Sequence, residues 1–275
     1  MEWSRYWRSP DGGLEAMHAH FERHAYHRHS HETYSFGVTE DGHQAFRCRG
    51  GAHTSAAGMV IAFNPDDPHD GHPADELGFT YRIVHLGPEL VADVLADIAG
   101  RPVGPPLFAA PVVADPVLAG DLRALHAALL GGAAALRRDE LLTASVGALV
   151  ARAATDRLRR RAAGGVAVRA RRLLDERFLD DVGAGELAEA AGCSRFALYR
   201  AFRREFGMAP SDYQRQLRLR AARRLLAGGA AIGDVAARTG FADQSHLTRW
   251  FVRSYGVTPG VFRDARGRSR TWGPG

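Results

Sequence analysis

Lysine is absent from this 275-residue chain, and all 36 basic residues are arginine. Such usage follows genomic base composition as much as any need for bidentate phosphate contacts, so the placement of the arginines says more than their type. Cysteine is scarce too: Cys48 and Cys193 lie far apart, in segments of different character. That excludes a disulfide framework and fits a reducing compartment. For Cys193, a plain small core residue is favoured over a redox group. No run of eighteen apolar residues occurs, and the opening MEWSRYWRSP has no apolar h-region. The expectation is a soluble, non-secreted, cytoplasmic chain without a membrane partner.

What is present is enough apolar matter for two cores, and a division of charge. Apolar residues make up 45% of the chain, which has room for two domains. The net charge of +5 hides an asymmetry: residues 1–150 hold 11 Arg against 19 Asp and Glu, a balance of −8, whereas residues 151–275 hold 25 against 12, a balance of +13. Only the second half suits a polyanion.

Within that half, residues 186–213 read ELAEAAGCSRFALYRAFRREFGMAPSDY. Leu187 points at a core, and Ala188 is small enough for a second helix to cross closely. Gly192 ends the first helix, where a tight turn favours a residue tolerant of positive φ. Ser194 is a natural N-cap. From Arg195, the residues Leu198, Ala201 and Phe202 make one inward face, while Phe196, Tyr199, Arg200 and Arg203 face out. The pattern predicts a helix-turn-helix whose second helix offers cationic, aromatic and hydrogen-bonding groups to a major groove. An ordinary helical hairpin with a solvated basic face fits one such motif equally well.

The motif occurs twice. Leu187, Ala188 and Gly192 recur as Val235, Ala236 and Gly240, 48 residues on. Phe202, Gly207, Pro210 and Tyr213 recur as Phe251, Gly256, Pro259 and Phe262, 49 residues on. The extra residue falls in the second turn, where insertion costs least. In the second unit Leu247 and Phe251 face in, Ser245, Thr248, Arg249 and Val252 face out, and Gln244 and His246 flank them. Between the units, residues 211–227 form a helix with Leu217, Ala221 and Leu225 inward, rigid enough to set the spacing of two readers along one side of a duplex.

Residues 166–265 resemble the DNA-binding domain of the AraC/XylS family of transcription regulators. The resemblance rests on Ile232 followed by DVAARTGF, on Leu247-Thr248-Arg249 and Phe251, and on Gly256, Pro259 and Phe262. It implies base-reading roles for Arg195, Phe196, Tyr199 and Arg200 in the first unit, and for Gln244, Ser245, His246, Thr248 and Arg249 in the second.

Residues 1–87 read as β structure. A strand is expected at 33–39, a hairpin turn at Glu40-Asp41-Gly42, a return at 44–49, and further strands at 59–63 and 79–86, which together suggest a small barrel or jelly roll. Eleven of the 13 histidines precede residue 86. On a strand, His27, His29 and His31 share one face, and with His69 they suit a three-His metal site. The segments HRHSHETYSFGV and GMVIAFNPDDPHDG also resemble the cupin-type sensor of the same family. Metal cupins, however, carry a Glu where this chain has Tyr34 and Ser35. Three readings stand: a small-molecule pocket with His29, His31, Tyr34, Asn64 and His69 as polar contacts; a metal held by His29, His31 and His69; or solvated and core histidines. The first is preferred, and no cofactor is expected.

Residues 88–163 turn to Ala/Leu/Arg helices, at 89–98, 117–130 and 136–158, with a Pro-rich connector at 100–116. Leu141, Val146, Leu149 and Val150 form a stripe that packs within the chain or against a second subunit; the resemblance favours the dimer. The arginine run at 157–161 and the glycines after it read as a linker. The basic tail, 266–275, is expected to be disordered. The whole is thus an α+β multidomain chain: a cupin-like barrel or jelly roll, a helical linker, and an all-α double helix-turn-helix domain. It implies a non-enzymatic regulator of transcription that binds double-stranded DNA and a small-molecule effector, acts as a homodimer, and meets RNA polymerase if it activates. The rivals are a metal-dependent cupin enzyme fused to a DNA-binding domain, and a ligand-independent regulator whose barrel only stabilises the dimer.

Overall fold

The computed structural model describes residues 1–10, 12–155, 165–265 and 270–272. Eight strands come first: β1 (Trp3–Arg8), β2 (Leu14–Phe21), β3 (Tyr26–His29), β4 (Tyr34–Cys48), β5 (Gly51–Ala56), β6 (Val60–Phe63), β7 (His69–Pro73) and β8 (Phe79–Leu86). Then follow α1 (Pro88–Ala99), β9 (Val112–Val113), α2 (Pro116–Leu130) and α3 (Ala135–Ala153). The second half holds α4 (Val166–Arg177), α5 (Ala184–Ala190), α6 (Arg195–Phe206), α7 (Pro210–Ala227), α8 (Ile232–Arg238), α9 (Gln244–Tyr255), α10 (Pro259–Asp264) and β10 (Arg270–Trp272).

All pairings are antiparallel, and β4 organises them. Its first part lies between β8 and β6, in the order β10-β1-β2-β8-β4-β6-β9. Its second part lies between β5 and β7, with β3 beyond β7. The hairpin expected at residues 40–42 is therefore a bend inside one strand. Gly42 has φ +68 and the register slips between Thr39 and Asp41, so a bulge turns the strand from one layer into the other. The reversal comes later, where Arg49 (φ +51) and Gly50 (φ +83) join β4 to β5. Nor does the sheet close into a barrel: among the described residues the pairing path ends at β10, β9, β3 and β5.

Strand alternation buries both faces of the central strands. On β2 and β8, Leu14, Ala16, Val84 and Leu86 meet α1–α3, while Met17, Ala19, Phe21, Phe79, Tyr81 and Ile83 face the other way, toward the helices of the second half. Val146 and Leu149 belong to the first of these cores, so much of the stripe that could have paired two subunits is spent inside this one. α3 is also shorter than expected: the chain is extended at Ala154, and Thr155 donates its backbone N–H to Leu107 O (2.7 Å). The arginine run expected to be a linker falls outside the described residues. The tail is corrected in part, since Arg270–Trp272 adds a strand to the edge of β1, where unpaired backbone groups of an edge accept a partner.

The DNA-reading face and the histidine pocket

The two helix-turn-helix units are built alike. Gly192 (φ +64) and Gly240 (φ +74) make the turns, in a conformation that strains any residue with a Cβ. Ser194 caps α6 by accepting from Ala197 N at 3.3 Å, and Asp243 caps α9 by accepting from His246 N at 2.6 Å. Leu187, Ala188, Leu198 and Phe202 fill the first unit; Val235, Ala236, Leu247 and Phe251 fill the second.

Of the nominated readers, Tyr199, Arg200, Arg203, Gln244, Ser245 and Arg249 are exposed and Thr248 is half-buried. The side chains of Arg195 and Phe196, at the start of α6, lie outside the described residues. His246 is half-buried, with Trp250 Nε1 3.0 Å from its Nε2 and Phe241 against its ring. It therefore braces α9 within its own unit.

α7 sets the distance between the units; its 18 residues span about 27 Å at 1.5 Å each. Leu219, Ala222 and Leu226 are its buried apolar residues, where the sequence suggested Leu217, Ala221 and Leu225, because α7 is packed on several sides. Arg218 fixes the relation of the units. It donates to Phe178 O (2.8 Å) and Asp180 O (3.0 Å) after α4, and to Gly240 O (3.0 Å) in the second turn.

A third side of α7 is polar and meets the sensor. Arg223 pairs with Glu15 of β2, and Glu15 also accepts from the Tyr6 hydroxyl. Arg220 bonds Asp66 (2.7 Å) and Ser30 Oγ (3.0 Å), and Gln216 donates to Ser30 O (2.6 Å). None of these residues stands out in the sequence. The opposite charge of the two halves was the only hint, and it names no pair.

Behind this contact lies a cavity of about 40 Å³, walled by His29, His31, Gln44, Phe63, His69 and His85 together with Ser254 and Tyr255 at the end of α9. Of the five nominated effector residues, only the three histidines line it. Tyr34 sits on the opposite face of β4, donating to Pro106 O (2.9 Å) and packing on Phe108. Asn64 clamps the connector instead, bonding Phe108 N (2.9 Å) and Phe108 O (3.0 Å). His27 does not share the face of His29 and His31, because the β3–β7 register shifts between Tyr26 and His29; it is exposed beside Trp250, with ring centroids 5.4 Å apart. His85, which no motif marked, comes in from β8 with Nδ1 2.8 Å from Ser35 Oγ. Burial, reinforced by the neighbouring imidazoles, holds His29 and His31 well below the usual histidine range. Burial likewise draws His69 and His85 down to about 4. All four are neutral near pH 7.

Residues 11–146 match the AraC-like ligand binding domain and residues 187–265 a helix-turn-helix domain. The chain is 28% identical over 222 residues, 80% of each chain, to the uncharacterized HTH-type transcriptional regulator YbfI of Bacillus subtilis (strain 168). It is 34% identical over 94 residues, 34% of each chain, to the HTH-type transcriptional activator RhaS of Escherichia coli (strain SE11). Among solved structures, an apo ToxT variant from Vibrio cholerae strain SCE256 superposes with a TM-score of 0.57 at 11% identity, covering 91% of this chain and 97% of that one. Wild-type ToxT from the same strain, with an unsaturated fatty acid bound, gives 0.54 at 12% identity, covering 96% and 94%. With a ligand-binding domain of this type followed by paired helix-turn-helix units, the chain belongs to the AraC/XylS family of transcription regulators.

Proposed function

We propose that the chain binds specific operators by placing α6 and α9 in successive major-groove segments on one side of a duplex, and that a small molecule bound in the sensor domain, at a histidine pocket that must widen from about 40 Å³ to admit it, controls this binding. One observation carries the reading: the pocket's wall includes Ser254 and Tyr255, the last residues of the second reader helix. An occupant that moves Tyr255 acts directly on a DNA-reading element. To regulate, it must bind the docked and released arrangements unequally, and operator DNA must then change its affinity by the same factor.

The fatty acid bound to ToxT supports a ligand role for this fold. Pairing of subunits, and contact with RNA polymerase in an activator, would use the outward sides of α1–α3, where Ile98 and Val117 are exposed. A cytoplasmic site of action agrees with there being no helix among the described residues long and apolar enough to cross a membrane. The matched relatives are named as regulators, which favours control of transcription over catalysis.

The test is capture of fragmented genomic DNA by the purified protein, followed by metabolite titrations at the captured sites. Discrete sites with two elements about 34 Å apart, and an affinity that shifts with a metabolite, are expected. Equal, salt-limited binding to all fragments would refute the proposal.

A further inference from the structure

In the sensor's interior the backbone has already settled which ring nitrogens carry hydrogen. His29 Nδ1 lies 2.7 Å from His27 O, and His69 Nδ1 lies 2.8 Å from Asp67 O. A carbonyl only accepts, so both Nδ1 atoms are donors and both Nε2 atoms of these neutral rings are bare lone pairs. The Nε2 atoms of His29 and His31 are 3.1 Å apart, and the ligating nitrogens of His29, His31 and His69 all lie within 4.8 Å of one another. Two imidazoles on one ion, with bonds of about 2.0–2.1 Å and angles of roughly 90–110°, hold their nitrogens about 2.9–3.4 Å apart. His29 and His31 already meet that spacing; His69, within 4.8 Å, must move closer to complete the set.

We propose that His29, His31 and His69 bind one divalent transition-metal ion of the zinc, cobalt or nickel class. An all-imidazole donor set suits these ions, and the hard cations that require carboxylates are disfavoured. The backbone carbonyls behind His29 and His69 are the outer partners that orient ligating imidazoles. Where no ion is bound, a hydrogen on His31 Nε2 bridges to His29; ligation by the neutral ring moves that hydrogen to His31 Nδ1 and leaves the Nε2 lone pair for the metal. The size also fits: the cavity of about 40 Å³ holds an ion and a water or two at about 10–15 Å³ each.

A second observation points to an occupant. Gln44 lines the same cavity, is 8% exposed, and its buried Oε1 has no hydrogen-bond partner. A water on the ion supplies the missing donor. Asp70, also in the wall, offers negative charge. The sequence departure at Ser35, where metal cupins carry an acid, is met by His85, whose ring centroid is 4.7 Å from that of His31. Tyr255 is next, 6.1 Å from His31 between ring centroids, so the ion sits against the second reader helix.

This site is testable without DNA or an organic effector. Chelator-stripped full-length protein is titrated with Co²⁺, read by ligand-field absorption and thermal shift, then back-titrated with Zn²⁺. One equivalent of Co²⁺ should bind, raise the melting temperature and be displaced by one equivalent of Zn²⁺. His29→Ala and His69→Ala should weaken binding by about 100-fold or more, taking the loss of an outer partner as the lower bound, while the exposed control His72→Ala leaves it unchanged. His31→Gln, which keeps a polar group in the wall, covers the case in which the alanine variants fail to fold. Absence of a saturable single site in the parent protein, or full binding by folded His29 or His31 variants, would overturn the proposal. Neither result bears on whether the chain reads DNA.

Discussion

Replacing Glu15 with Gln should loosen the sensor from the DNA-binding module. Glu15 and Arg223 are both largely buried, with side-chain exposures of 8% and 15%, and the pair joins β2 to α7 across the domain boundary. Burial opposes the charged guanidinium, and Glu15 is the foremost group that favours it, ahead of Tyr255, Tyr6 and Glu32. Gln keeps an acceptor for the Tyr6 hydroxyl but removes the counter-charge. Breaking a buried pair from one side costs about 3–5 kcal/mol, against about 0–1 for an exposed pair such as Arg137–Glu140. Arg223→Met should cost a similar amount by stranding Glu15. The double variant should recover most of the loss, because the desolvation of both charges disappears. Urea denaturation of the four proteins in a double-mutant cycle measures this. Single costs below about 1 kcal/mol, or a double-variant cost equal to the sum of the singles, would show that the pair does not bind the domains together.

Arg249→Ala should cost about 1–3 kcal/mol at one base position, measured as affinity on operators varied base by base; an equal loss on random DNA would reduce Arg249 to a phosphate contact. Ala188→Leu should lower stability by about 1–3 kcal/mol through overpacking at the α5–α6 crossing, and an unchanged melting temperature would contradict the close approach. His126 is buried beneath the sheet, bonds Met17 O (2.9 Å), and is held down to about 3 by burial, with Arg82, His18 and Arg5 acting in the same sense and Glu40 paired to Arg82 beside them. Its neutral form stabilises the fold fully above the unfolded value near 6.5, and that contribution is lost as pH falls toward 3, at about 1.4 kcal/mol per unit. Between pH 7 and 5 the parent protein should therefore lose about 2 kcal/mol more than His126→Gln; equal slopes in denaturation against pH would refute this.

The reader units were legible because their determinants are local. A glycine at a left-handed turn, a capping side chain two or three residues later and an apolar stripe at helical spacing fit within thirty residues, and a second copy confirmed them. Glu40-Asp41-Gly42 misled for the complementary reason: it carries a turn's residues, but pairing with β8 up to Gly42 and with β5 from His43 onward overrides them. The pocket was half legible. His29, His31 and His69 sit in recognisable segments, whereas His85 arrives through strand register with Ser35. Tyr34 and Asn64 are polar residues of the right segments whose side chains serve the connector at Phe108. The Glu15–Arg223 pair spans 208 positions, and no local pattern announces a contact between one buried carboxylate and one arginine among 36.

The central claim is that two reader helices, held in register by α7 and Arg218, meet one side of a double strand. Methylation protection of operator guanines by the parent protein and by Arg203→Ala and Arg249→Ala tests it most directly. Two protected major-groove patches about 34 Å apart on one side are predicted, the α6 variant weakening one and the α9 variant the other. A single patch, patches on opposite sides of the duplex, or the loss of both in either variant would contradict it.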